Sequence, residues 1–224
     1  MSRHAAFVLA LSLVIPGVVS ASGSSPMSVP STETSSRTPE QEAAEAYNDG
    51  VSYREKADKM EKQSATEIDA AKKTKLLEKS KGLHESSIKK FTKAVGNDPR
   101  MFQAWGGLGY AYRKTGNYPV ALEAYDRALA LEKSYTPAIE YRAEAYLGLN
   151  RLAEAKSAYM TLFAADRARA EELASAMEKW VEKRQADPAG VDSSTIADFG
   201  KWVAERKQLA TQTSSLSDPN APRW

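Results

Sequence analysis

Apolar and small residues between Trp105 and Tyr159 recur at helical spacing, and the pattern then repeats. Trp105, Leu108, Gly109 and Tyr112 stand at i, i+3, i+4 and i+7, which is one face of a helix, and Ala121, Tyr125 and Ala128 make a second such face. Between them Thr115-Gly116-Asn117-Tyr118-Pro119 supplies a glycine suited to ending one helix and a proline suited to the first turn of the next. Laying the chain on itself with an offset of 34 residues pairs Ala104 with Ala138, Trp105 with Ile139, Gly109 with Ala143, Tyr112 with Tyr146, Ala121 with Ala155 and Tyr125 with Tyr159. Each copy therefore reads as a helical hairpin. Small Gly109, Ala121 and Ala128 mark where its helices cross, and Trp105, Tyr112 and Tyr125 fill the space around the crossing.

The same period extends both ways. Upstream, Gly50 and Tyr53 fit a first helix and Ile88, Phe91, Ala94 and Asp98-Pro99 fit a second, but the two frames are displaced by 25 residues. The insertion lies within Lys56 to Leu83, rich in Lys, Glu and Ala with apolar Met60, Ile68, Ala71, Leu76 and Leu77. The simplest reading is a projecting antiparallel arm with its tip near Ser64 to Asp69, where Ser64-Ala65-Thr66-Glu67 offers a capping box and Lys81-Gly82 a competing break. Thr38-Pro39-Glu40-Gln41 predicts the start of the first helix: cap, first-turn proline and capping-box glutamine. Downstream, Leu173, Ala176, Met177 and Trp180 predict a terminal capping helix over Arg167 to Gln185, then a turn-rich loop and a last helix over Thr195 to Ala210.

Trp105-x2-Leu108-Gly109-x2-Tyr112, followed by Ala121-x3-Tyr125 and Ala128, resembles the tetratricopeptide repeat (TPR). The resemblance implies an all-α fold: a short α-solenoid of about three hairpins, the first carrying an elongated helical arm, closed by C-terminal capping helices. The expected segments are a hairpin with its insertion over 39–98, two regular repeats over 99–166 and capping helices over 167–210. The third copy departs from the family pattern with Arg142 in place of leucine.

The ends have a different character. Met1-Ser2-Arg3-His4 leads into a run from Ala5 to Val19 that is almost wholly apolar and closes on Val19-Ser20-Ala21, the anatomy of a signal peptide over 1–21 cleaved near Ala21. Residues 22–40 hold seven Ser, three Thr and three Pro, so 22–38 reads as a disordered tether, and Thr211 to Trp224 as a loose tail. These features predict an exported, periplasmic protein of a bacterial envelope.

Composition narrows the chemistry. With 31 Lys+Arg against 29 Asp+Glu, nothing indicates a nucleic-acid protein. There is no cysteine, and of two histidines His4 lies in the leader, leaving His84, read as a hairpin-turn residue. The acid pairs Glu140/Glu144 and Glu171/Glu172 read as solvated helix charges, and no phosphate loop is present, so the expectation is a non-enzyme without metal or cofactor.

In the repeat family, the face of the first helices turned away from the crossing lines a concave groove that grips a segment of another protein. Carried over slot by slot, the partner-binding candidates are Tyr47, Val51 and Arg54, then Gln103, Tyr110, Arg113 and Lys114, then Glu140, Glu144 and Leu147. Tyr47, Gly107 and Pro137 occupy slots that are Lys, Asn and Lys in chaperone-binding members, so recognition of a chaperone tail is not implied. The reading is an interaction adaptor of the envelope; the alternative is a structural subunit that self-assembles through its hairpins and arm into a homo-oligomer. No integral membrane segment is expected once the leader is removed, and the arm's near balance of Lys and Glu argues against contact with lipid.

Overall fold

The computed structural model describes residues 37–216. The expected leader, most of the tether and the end of the tail, Trp224 included, lie outside them. Eight helices follow one another: α1 (Pro39–Thr66), α2 (Ala70–Asn97), α3 (Phe102–Lys114), α4 (Tyr118–Leu131), α5 (Thr136–Gly148), α6 (Leu152–Ala165), α7 (Arg167–Ala186) and α8 (Ser193–Leu216). Consecutive pairs form hairpins, and successive hairpins stack into a short, all-helical solenoid. Among the described residues no helix is long and apolar enough to cross a membrane.

Local chemistry explains the boundaries. At the start of α1 the Thr38 hydroxyl accepts from the Gln41 N–H while the Gln41 side chain accepts from the Thr38 N–H, the reciprocal box read from the sequence. Each central hairpin turns through a left-handed residue, Gly116 (φ 84°) in the second and Asn150 (φ 58°) in the third, 34 positions apart. In both turns the residue that follows donates across the loop to the same helical slot: Asn117 N–H to the Tyr112 carbonyl at 2.9 Å and Arg151 N–H to that of Tyr146 at 2.8 Å.

The hairpin crossings are as tight as the small residues allow. A Cβ placed on Gly109 lies 2.7 Å from the Tyr125 ring, and one on Gly50 lies 2.7 Å from Phe91, so in both pairs an aromatic ring fills the space a side chain would need. Tyr125, Tyr159 and Phe91 are the largest fully buried side chains. Arg142, the departure from the family pattern, donates to Asp126 at 2.6 Å and lies over the Tyr146 ring, tying α5 to α4 by charge where a leucine would pack.

Three features differ from the sequence reading. Ser64 does not cap α2: it lies inside α1, buried, with its hydroxyl given to the Glu61 carbonyl, and Asp69 caps α2 by accepting from the Lys72 N–H at 3.0 Å. Helix α2 runs through Lys81-Gly82 unbroken because nothing packs near Gly82 and no left-handed residue interrupts it. Helix α8 continues past Ala210 to Leu216, into the segment read as a loose tail, and Arg167 donates back to Thr213 at 3.2 Å. Helices α7 and α8 pair with each other as a fourth hairpin, with Trp180 edge-on to Phe199 and Lys207 bonded to Glu178. Met177 is tolerated at its crossing slot because it is itself fully buried in the terminal core with Leu173, Ile196, Phe199 and Val203.

Candidate partner-binding face

Helices α1, α3, α5 and α7, the first of each hairpin, lie side by side, and the predicted groove residues fall along them. Tyr47 and Val51 are half-buried against the core around Phe91, with the Tyr47 ring 5.8 Å from that of Phe91. Burial raises the Tyr47 hydroxyl pKa, so it remains a donor. Arg54 lies over the Tyr110 ring at 5.6 Å and has no ion-pair partner among the described residues, and Gln103 is exposed.

The centre of the face is closed by its own charges. The Tyr110 hydroxyl donates to Asp58 at 2.7 Å, and burial together with the Asp58 carboxylate holds that hydroxyl protonated far above its ordinary range. Arg113 donates to Glu144 at 2.6 Å and lies between the rings of Tyr110 and Tyr141, at 5.0 and 5.2 Å from their centroids. Burial opposes the charge on Arg113, and Glu144 together with Tyr125 and Tyr110 outweighs it. Lys114 is bonded to Glu61, which also accepts from Ser80 at 3.1 Å and meets Nε2 of His84 at 3.1 Å. Burial works against the Glu61 carboxylate, but hydrogen bonds from His84 and Lys114 and their charges bring its pKa down to about 2.

Two predicted contacts are not open to a guest. Glu140 is 3% exposed and is bonded to Arg169 of α7; burial pushes its carboxyl pKa up against the pull of that guanidinium. Leu147 is 4% exposed, and its carbonyl accepts from the Trp180 indole at 2.8 Å. The physical reason is α7, which continues the stack and covers this face of α5. The same burial overturns the reading of Glu140 as a solvated charge.

The sequence reading missed Asp58, Glu61, Tyr141 and Arg169, and misplaced His84. His84 is 1% exposed in the middle of α2, not at a turn. One signal was available: Tyr47, Val51, Arg54, Asp58 and Glu61 continue one stripe at alternating spacings of four and three, through the start of the insertion. Asp58, Glu61 and His84 bring three ligand atoms within 4.8 Å of one another, close enough to share a cation. The Lys114 ammonium and the Tyr110 hydroxyl already engage these carboxylates, so the geometry is that of a salt-bridged hub.

Residues 78–135 match the family model of the tetratricopeptide repeat, beginning beyond the arm tip and running through α3 and α4. Among curated proteins the chain has no match. Two solved structures are similar. One is the first TPR of Spaghetti (RPAP3) bound to an HSP90 peptide, at 21% identity over 69% of this chain and 95% of that one, with a TM-score of 0.36. The other is the NMR structure of the first TPR domain of human RPAP3, at 21% identity over 77% and 99% of the two chains, with a TM-score of 0.38.

Proposed function

We propose that this chain is a protein-binding adaptor that receives an extended segment or helix of another protein along the first-helix face, and that it works in a bacterial envelope after loss of its leader near Ala21. The observation that carries the reading is the uneven use of polar groups on that face. Asp58, Glu61, Glu144, Arg113 and Lys114 are matched internally and hold α1, α3 and α5 in register, whereas Tyr47, Arg54 and Gln103 keep donors free at the α1–α3 end. A guest therefore binds at that end, around a half-buried aromatic and a guanidinium, the residue types that most often anchor interfaces. Tyr110 and Arg113 act as the floor beneath it. The chaperone tail carried by a similar structure is not the guest proposed, because Tyr47, Gly107 and Pro137 replace the basic and amide groups that would hold its carboxylate.

The test is photo-crosslinking in intact cells from a reactive residue at position 103, with one at exposed Ala130 on α4 as the control. A discrete adduct from 103 that Arg54→Ala abolishes, with unchanged thermal stability and nothing from 130, supports the adaptor. Adducts only to other copies of this chain would replace it with self-assembly, and mass spectrometry showing Met1 retained would remove the envelope placement.

A further inference from the structure

The arm carries more positive than negative charge. Residues 56–81 contain eight lysines and five acids. Of the acids only Glu61 is neutralised by a lysine, Lys114 of the body; Asp58 accepts from the Tyr110 hydroxyl, and Glu67 and Asp69, on either side of Ile68, accept from backbone N–H groups and keep their charge, so the arm retains an excess of positive charge. All eight lysines are exposed, and among the described residues none has an ion-pair partner. The body treats its lysines differently: Lys90, Lys93 and Lys207 are paired with Asp49, Glu42 and Glu178.

The end of the arm adds an apolar feature. The connection between α1 and α2 is three residues long, and at its centre Ile68 is 98% exposed. Leu77 is also exposed, and Lys72, Lys75 and Lys79 line a hollow of about 540 Å³ together with half-buried Leu76, Glu67, Gln63 and Thr66. A single exposed aliphatic residue is ordinary on a protein surface. An isoleucine at the extreme end of a helical rod, with Glu67 and Asp69 beside it and unpaired lysines from the first turn of α2 onward, is oriented to be the first group to reach anything the arm meets.

We propose that this tip docks on an anionic phospholipid surface, Ile68 entering the headgroup layer while Lys72, Lys75 and Lys79 meet the phosphates. The lysines suit that occupant better than a macromolecule read by shape. The arm contains no arginine from residue 55 to 99, so it lacks the planar fork that recognises carboxylate or phosphate in a fixed geometry, and it has no aromatic ring near the tip on which a base stacks. What remains is a net excess of compact, mobile positive charge behind an apolar point, which is what diffuse attraction to a charged leaflet and shallow insertion require. The site is separate from the first-helix face, and its test does not depend on what that face binds.

The chain has no cysteine, so Ile68→Cys in the full-length protein accepts one environment-sensitive fluorophore at the tip, and Ala130→Cys accepts the same label on the body. With vesicles of phosphatidylcholine mixed with phosphatidylglycerol, the tip label is expected to shift to the blue while the body label does not move, and pure phosphatidylcholine leaves both unchanged. Adding Lys72→Gln, Lys75→Gln and Lys79→Gln lowers partitioning of the tip-labelled protein by about a hundredfold, with unchanged circular dichroism as the folding control. The proposal is overturned by no shift at position 68, by an equal shift on neutral vesicles, or by a shift that survives loss of the three lysines. Binding of soluble polyglutamate with the same lysine dependence and no vesicle response would assign the tip to an acidic protein instead.

Discussion

A methyl group on Gly109 and one on Gly82 meet opposite surroundings. At Gly109 it lies 2.7 Å from the Tyr125 ring, which is fully buried and has nowhere to move. At Gly82, in the exposed middle of α2, it meets nothing within 4 Å. Gly109→Ala is therefore expected to destabilise the fold by about 1–3 kcal/mol through overpacking, and Gly82→Ala to stabilise it by up to about 1 kcal/mol through the helix propensity of alanine. Urea denaturation of the two variants checks both signs, and equal effects would remove close packing as the reason for glycine at 109. Gly109 was legible in the sequence because its partners recur at a fixed offset. His84 was not: a lone histidine flanked by Leu83 and Glu85 gives no sign that Glu61, 23 residues away, will face it.

At the scale of elements, the long α1–α2 hairpin is joined to α3 by charge as much as by apolar packing. Small residues line its inner side: Ala57, Ser64, Ser80 and Ser87 are buried, and Ser87 gives its hydroxyl to the Gly50 carbonyl at 2.8 Å. At roughly 1.5 Å per residue each of its helices spans roughly 42 Å, and its outer half depends on the contacts of Glu61 with Lys114, Ser80 and His84. Because the Glu61 carboxyl titrates at about 2 when folded and at its ordinary 4.5 when unfolded, the stabilisation is complete above the ordinary range and is lost as pH falls through the folded value. Glu61→Gln is expected to cost on the order of 2 kcal/mol near neutral pH and to flatten the fall in stability between pH 5 and pH 2, with Glu78→Gln as the exposed control. An acid limb unchanged by Glu61→Gln would mean that other carboxylates carry it. The arm's existence followed from the displaced repeat frames. Its polar interior did not, because hydrophobic periodicity says nothing about where serine, histidine and carboxylates will meet.

Residues 37–216 form a one-dimensional stack, and its two ends are finished differently. The α1–α2 end is closed by a polar hairpin, while the other depends on α7 and α8 to cover an apolar face that includes Ile139, Leu147, Tyr159 and Leu162. In such a stack each hairpin is stabilised mainly by its neighbours, so damage at one end should fade with distance. A chain stopped after Ala186 loses α8 and uncovers Met177, Trp180 and Tyr159, which pack against Ile196, Phe199 and Val203, each worth about 1.5–3 kcal/mol when fully buried. Hydrogen exchange on that truncation is expected to show α7 and α5–α6 losing most protection and α1–α2 the least. Binding through Arg54 and Gln103 should survive wherever the protein stays soluble, because those residues sit at the opposite end. Uniform loss of protection along the chain would show that the four hairpins fold as one cooperative unit, and the separation between a binding end and a supporting end would then have no thermodynamic basis.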